Sequence, residues 1–250
     1  MLGRAQGWCW RWGLAWAVLV GAAGAARASW GLREAARAGD VVHVREALAA
    51  GDDPSGEPGE PTPLMEAAMG GHTRVMDVLA RAGADLERRD SNGDRALHWA
   101  VAFRQEGAVA WFIAHRADLA ARGHGGRTPL LAAVASSSLP IVTRLLAAGA
   151  SARDHDDMGW GAAYMATIWS SSDVLAAVLA RGASANDSDG SDESVLMAAA
   201  LRDEPRKIGL LAARGADMAQ AGEAWLSAAR QKARGAMAAL LPYAPASPEA

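Results

Sequence analysis

The chain has 250 residues and a single cysteine, Cys9, which lies ahead of the first apolar run. It is badly placed for lipidation, and a chain cleaved after that run would have no thiol at all. Disulfides, thiol nucleophiles and thiolate metal sites are then excluded. No H-E-x-x-H, G-x-S-x-G or G-x-x-x-x-G-K-[ST] segment occurs, and no G-x-G-x-x-G follows a strand. Enzymatic activity and bound cofactors are therefore not expected. Only two lysines stand beside 23 arginines, and 61 residues are alanine, a bias that looks like a GC-rich bacterial genome. Positive charge is in deficit, with a net charge of −3. An acidic body argues against nucleic acid or an anionic membrane as the main ligand.

What is present first is an export signal. Arg4 and Arg11 form a basic start, residues 12–26 carry no charge, and Ala26-Arg27-Ala28 offers a cleavage site. Fifteen uncharged positions fall short of the roughly 20 apolar residues that span a bilayer, so retention as an anchor is the weaker reading. No Arg-Arg pair occurs in this segment, which speaks against the twin-arginine route. Residues 1–28 are read as a cleaved signal peptide, and the destination as the periplasm or the outside. Loss of three arginines would leave 22 basic against 28 acidic residues, net −6.

The remainder repeats. Leu64, Leu97, Leu130, Ala163 and Leu196 stand 33 apart, with Leu32 a step of 32 before and Leu226 a step of 30 after. Three residues beyond each lies an alanine, from Ala35 to Ala229. Nineteen beyond come Gly51, Gly83, Arg116, Gly149, Gly182 and Gly215. Thr62-Pro63 and Thr128-Pro129 place a capping hydroxyl before a proline at a first helical position. A short alanine-rich helix follows, then a break such as Gly70-Gly71-His72, then a second helix with apolar residues at helical spacing, as in Val75, Met76, Val78 and Leu79. That helix stops at the glycine column, where a left-handed cap is cheapest. Polar turns such as Asp90-Ser-Asn-Gly93 and Asp156-Asp-Met-Gly159 link the units. A single unit cannot bury its apolar face, so the units must stack into a solenoid.

Over residues 30–243 the pattern resembles the ankyrin-repeat family. The residues that carry it are Thr62-Pro-Leu64, Ala96-Leu97-His98-Trp-Ala100, Gly71-His72 and Gly83-Ala84-Asp85. Gly161-Ala-Ala-Tyr164 departs from the T-P-L-H signature, and Arg116 from the glycine column. The resemblance implies an all-α solenoid of stacked helix-loop-helix units over residues 29–243, six or seven units with degenerate caps. It also implies hairpin-like loops and a concave binding surface made of loop tips and first helices. Arg33, Glu34, Arg37 and Arg45 would give the first cap a charged face, three prolines (Pro54, Pro58, Pro61) stiffen the loop that follows, and residues 244–250 would fray.

His72 and His98 fall at signature positions and are read as ties from side chain to backbone. His124 and His155, near Asp156, Asp157 and Asp189, are the residues that could hold a divalent ion, although no known ligand spacing is present. Asp187-Ser-Asp189-Gly-Ser-Asp-Glu193 has part of a calcium loop and is read as a solvated turn.

At offsets of two, five and six from the leucine column, first helices should face the concave side. There stand Met69; Trp99 and Phe103; Met165, Ile168 and Trp169; and Leu201 with Arg202, while Met158 and Trp160 fall at a loop tip. Such residues dominate binding hot spots. The competing possibility is that Trp99, Met165 and Trp169 fold down to fill gaps left by alanine. Trp111 and Phe112, on a second helix, are read as packing. The expected function is protein binding by a chain that is monomeric when unbound, with no nucleic-acid or membrane partner. The partner is either a client enzyme that this chain helps, or a toxin that it neutralises as an immunity protein. A metal-binding or hydrolytic protein using the loop His and Asp residues is the rival from another class.

Overall fold

A computed structural model describes residues 31–189 and 193–243. The expected signal peptide, Cys9, the tail from residue 244 and residues 190–192 of the aspartate-rich turn lie outside the described residues.

Fourteen α-helices, arranged as seven pairs, make up the described chain. The first helices of the pairs are α1 (Leu32–Ala38), α3 (Pro63–Met69), α5 (Ala96–Ala102), α7 (Pro129–Ala135), α9 (Ala162–Trp169), α11 (Val195–Leu201) and α13 (Ala221–Arg230). The second helices are α2 (Val41–Ala49), α4 (Thr73–Arg81), α6 (Glu106–Ala114), α8 (Leu139–Ala147), α10 (Ser172–Ala180), α12 (Pro205–Ala212) and α14 (Arg234–Leu240). Each first helix packs on the first helices before and after it, and the second helices form their own row. Among the described residues the loops between helix pairs make isolated β-bridges, such as His155 with Gly161, and no β-strand.

Local chemistry accounts for the helix ends. Thr62 and Thr128 accept from the amides of Met65 and Leu131, satisfying donors that the first turn leaves free. A left-handed glycine follows the second helix in five units, with Gly51, Gly83, Gly149, Gly182 and Gly215 at φ between 82° and 101°. Arg116 is forced into the same region at φ 57°. Because a Cβ is strained there, Arg116→Gly is expected to raise stability by about 1 kcal/mol. A thermal melt should show a gain of roughly 2–4 °C for a domain of this size, and an unchanged or lower Tm would contradict the strain argument.

The leucine column and the alanines three residues on are buried from Leu32 to Ala199. The last unit departs from the expected register. Leu226 is 53 % exposed, while Ala224 and Ala228 are fully buried and Trp225 packs against the core. Counting back from the left-handed residue between the helices, Asp203 in one unit and Lys232 in the next, places Trp225 where Leu196 stands. The column therefore continues as Trp225 and Ala228, one residue ahead of Leu226 and Ala229.

Polar ties run along the row as well. His72 Nε2 donates to the Arg37 carbonyl at 3.1 Å, Gln105 Nε2 to Met69 at 3.0 Å, and Lys207 Nζ to Thr167 at 2.8 Å. Ser170 Oγ does the same for Val134. Each acceptor lies in the last turn of a first helix, where carbonyls have no partner within the helix. The first cap is more than a solvated charged face. Arg37 grips both carboxylate oxygens of Glu66, one of them at 2.7 Å, and Glu66 is 1 % exposed. This carboxylate pushes the Arg37 pKa above its ordinary value.

Candidate binding surface

Two aromatic groups stand on the first-helix row, each held by a turn aspartate. In the turn before α5, Asp90 accepts from the amides of Asn92 and Asp94 through Oδ1, at 2.8 and 2.9 Å. Its Oδ2 accepts from the Trp99 indole at 3.0 Å. Trp99 is thereby half-buried and stacks on Phe103, with ring centres 6.1 Å apart. Phe103 is left 50 % exposed.

The second group surrounds α9. Asp156 is buried and accepts from the amides of Met158 and Trp160 at 2.9 and 3.0 Å, while Arg127 Nε approaches its other oxygen at 3.4 Å. The Trp160 ring lies 5.4 Å from Tyr164 and 5.0 Å from Trp169, and its indole donates to the Asp189 carbonyl at 3.2 Å. The Arg127 guanidinium sits 5.5 Å from the Trp169 ring centre, within cation–π range. Tyr164 donates to Glu193 at 3.4 Å, and burial beside that carboxylate pushes the phenol pKa up. Trp169 ends 38 % exposed and Met158 62 % exposed. Side chains held this way lose little further freedom when a partner covers them, which favours binding.

The other expected contact residues divide. Arg202 is exposed, and Met69, Ile168 and Leu201 are half-buried. Trp160 is half-buried instead of projecting from the loop tip, because its ring lies across Tyr164 and Trp169. Met165 is a correction: it is fully buried. Helix α9 is enclosed by α7 and α11, whose alanines leave room that a long thioether fills. The roles of Asp90 and Asp156 were missed, although their 66-residue spacing, twice the repeat, was a visible signal.

The histidine and aspartate loops are occupied by other bonds. Asp156 is engaged as described, and His155 pairs with Asp187 at 3.5 Å. Burial pushes the Asp187 carboxyl up, an effect that His155 partly offsets. Asp189 Oδ1 accepts from the Glu193 amide at 3.1 Å. Among the described residues no group of three or more His, Cys, Asp or Glu is placed to hold a metal ion. His98 Nδ1 accepts from the Arg95 amide at 3.3 Å, and its Nε2 donates to the Arg127 carbonyl at 3.1 Å. Since an amide only donates and a carbonyl only accepts, the ring is neutral with its proton on Nε2.

Burial holds the His98 pKa below its ordinary value. Below about pH 6.5 the unfolded chain takes up a proton that the folded chain refuses, so stability present above that pH falls on acidification. The slope should approach 1.4 kcal/mol per pH unit until the folded pKa is passed. Urea unfolding between pH 7.5 and 5 should show this loss, with a shallower dependence in His98→Gln. An identical dependence in that variant would rule His98 out.

A model of ankyrin repeats, three copies, matches residues 32–123. The crystal structure of the human ASB11 ankyrin repeat domain superposes with a TM-score of 0.71, covering 88 % of this chain and 99 % of that one at 24 % identity. The fold is an ankyrin-repeat solenoid. Over 135 residues the chain is also 30 % identical to Glycerophosphocholine phosphodiesterase gde1 of Schizosaccharomyces pombe. That match takes in 52 % of this chain but spans only 12 % of the length of the relative. Ankyrin repeats generally bind proteins and are typically not catalytic, and the arrangement of Trp99, Phe103, Trp160 and Trp169 provides apolar contact area of the kind such binding uses.

Proposed function

We propose that this chain is an exported bacterial ankyrin protein that binds one partner protein in the periplasm through its first helices and loop tips, as a helper of a client enzyme. The observation that carries the proposal is Trp169, an aromatic side chain partly open to solvent yet braced by Trp160 and Arg127. An indole that is both braced and partly open to solvent is already rigid when a partner covers it, which suits a binding anchor. Export rests on the basic, apolar and A-x-A pattern of residues 1–28.

The test is affinity capture from a periplasmic fraction, beside a Phe103→Asp/Trp169→Asp variant that circular dichroism shows to be folded. The partner retained by the parent should bind the variant at least about thirtyfold more weakly, the loss of about 2 kcal/mol expected at a hot spot. Equal capture by both proteins would refute the surface. The captured partner's activity then decides its relation to this chain. A helper leaves the activity intact or raised, and suppression would mark an inhibitor of the immunity type instead.

A further inference from the structure

A second site lies on the second-helix row, away from the aromatic surface. Helices α2 and α4 border an open cavity of about 350 Å3 lined by Val41, Arg45, Arg74, Asp77, Val78 and Arg81. Three of these six are arginines on solvent-exposed positions. Arg74, Val78 and Arg81 recur at helical spacing along α4, and Val41 and Arg45 along α2, so each helix turns one such stripe to the cavity.

Among the described residues, the side chains of Arg45, Arg74 and Arg81 make no ion pair or hydrogen bond. The one carboxylate at the cavity, Asp77, accepts the Trp111 indole N–H from α6 at 2.6 Å. Arg37, Arg95 and Arg127 are paired with Glu66, Glu87 and Asp156, whereas no carboxylate among the described residues pairs with Arg45, Arg74 or Arg81, which share one concavity. Three unanswered guanidiniums around one concavity repel each other and create a positive field on an otherwise acidic protein.

We infer that this cavity binds a phosphate group, through Arg45, Arg74 and Arg81. A tetrahedral dianion offers several oxygens in different directions, which suits three forks approaching from two helices better than a planar carboxylate does. The volume lies at the lower end of small-molecule sites, leaving room for an organic portion against Val41 and Val78. The phosphate can belong to a soluble ester or to a lipid headgroup, and the two sources are separable by experiment.

Inorganic phosphate is titrated into the full-length chain by calorimetry, at constant ionic strength set with chloride. Saturable binding is expected, weakened at least tenfold in Arg74→Ala/Arg81→Ala and unchanged in Arg206→Ala/Arg214→Ala, which removes equal charge elsewhere. All four residues are exposed, so folding is retained and is verified by circular dichroism. In parallel, the chain is sedimented with vesicles of neutral lipid, with and without a phosphatidic acid component. Sedimentation that requires phosphatidic acid and the two α4 arginines assigns the headgroup source. Phosphate binding without such sedimentation assigns a soluble ester. Absence of saturable phosphate binding, or equal weakening in both double variants, overturns the site.

Discussion

Arg37→Ala is expected to lower stability by about 3–5 kcal/mol, far beyond the usual effect of removing a partly exposed arginine. Glu66 is the reason. It sits in the middle of α3 at 1 % exposure, and Arg37 from the preceding unit grips both of its oxygens. Alanine would leave that carboxylate charged, buried and without its partner. The pair itself adds little over an apolar replacement, because both groups had to leave water. Arg37→Met/Glu66→Leu should therefore recover most of the loss. Urea midpoints at constant m-value read both results. A deficit under 1 kcal/mol would mean that water or another group reaches Glu66.

How much of this was legible in the sequence depends on how each feature repeats. The left-handed stops recur in a glycine column broken only at Arg116 among the first six units, Thr62 and Thr128 stand two repeats apart, and each of these residue types has a backbone reason to be there. Thr62, Thr128 and the glycine column could be assigned from single positions for that reason. Of the ladder from His72, Gln105, Ser170 and Lys207 to the preceding helix ends, only the His72 tie could. His72 and Gln105 share one repeat position, but Ser170 and Lys207 stand elsewhere and the four residue types differ, so no single residue type marks the carbonyl role. Burial on the first helices was only partly legible. Trp169 and Met165 lie four residues apart on α9, one partly open and the other closed, because neighbouring helices enclose different arcs of the same turn. Arg37 and Glu66 are adjacent only across two units, and pairing over 29 residues leaves no local mark. The slip at Leu226 has another origin. Helix α13 is ten residues long and follows a 3₁₀ turn instead of a hairpin-like loop, so the 33-residue count no longer reports its register.

Phe112→Ala is the second large effect, and its interest lies in how the damage spreads. Phe112 is fully buried in α6 and meets Trp111 edge-on, with ring centres 5.1 Å apart. Truncation should cost about 3–5 kcal/mol, with the exact figure set by how far the surrounding helices close the cavity. In a compact domain that loss would be shared by the whole structure. Here the main packing of α5 and α6 outside their own unit is on the helices of units two and four, so the stability of each half depends on its interface with unit three. Weakening that unit should uncouple the amino-terminal pair of units from the four that follow. The expected urea transition is therefore broadened or split, with a lower apparent m-value. Hydrogen exchange should accelerate in α1 to α6 while α9 to α12 keep their protection. Were exchange to accelerate equally in all seven units, coupling would extend beyond nearest neighbours. The braced aromatic group around Trp169 on α9 would then depend on packing in α6, three helices away.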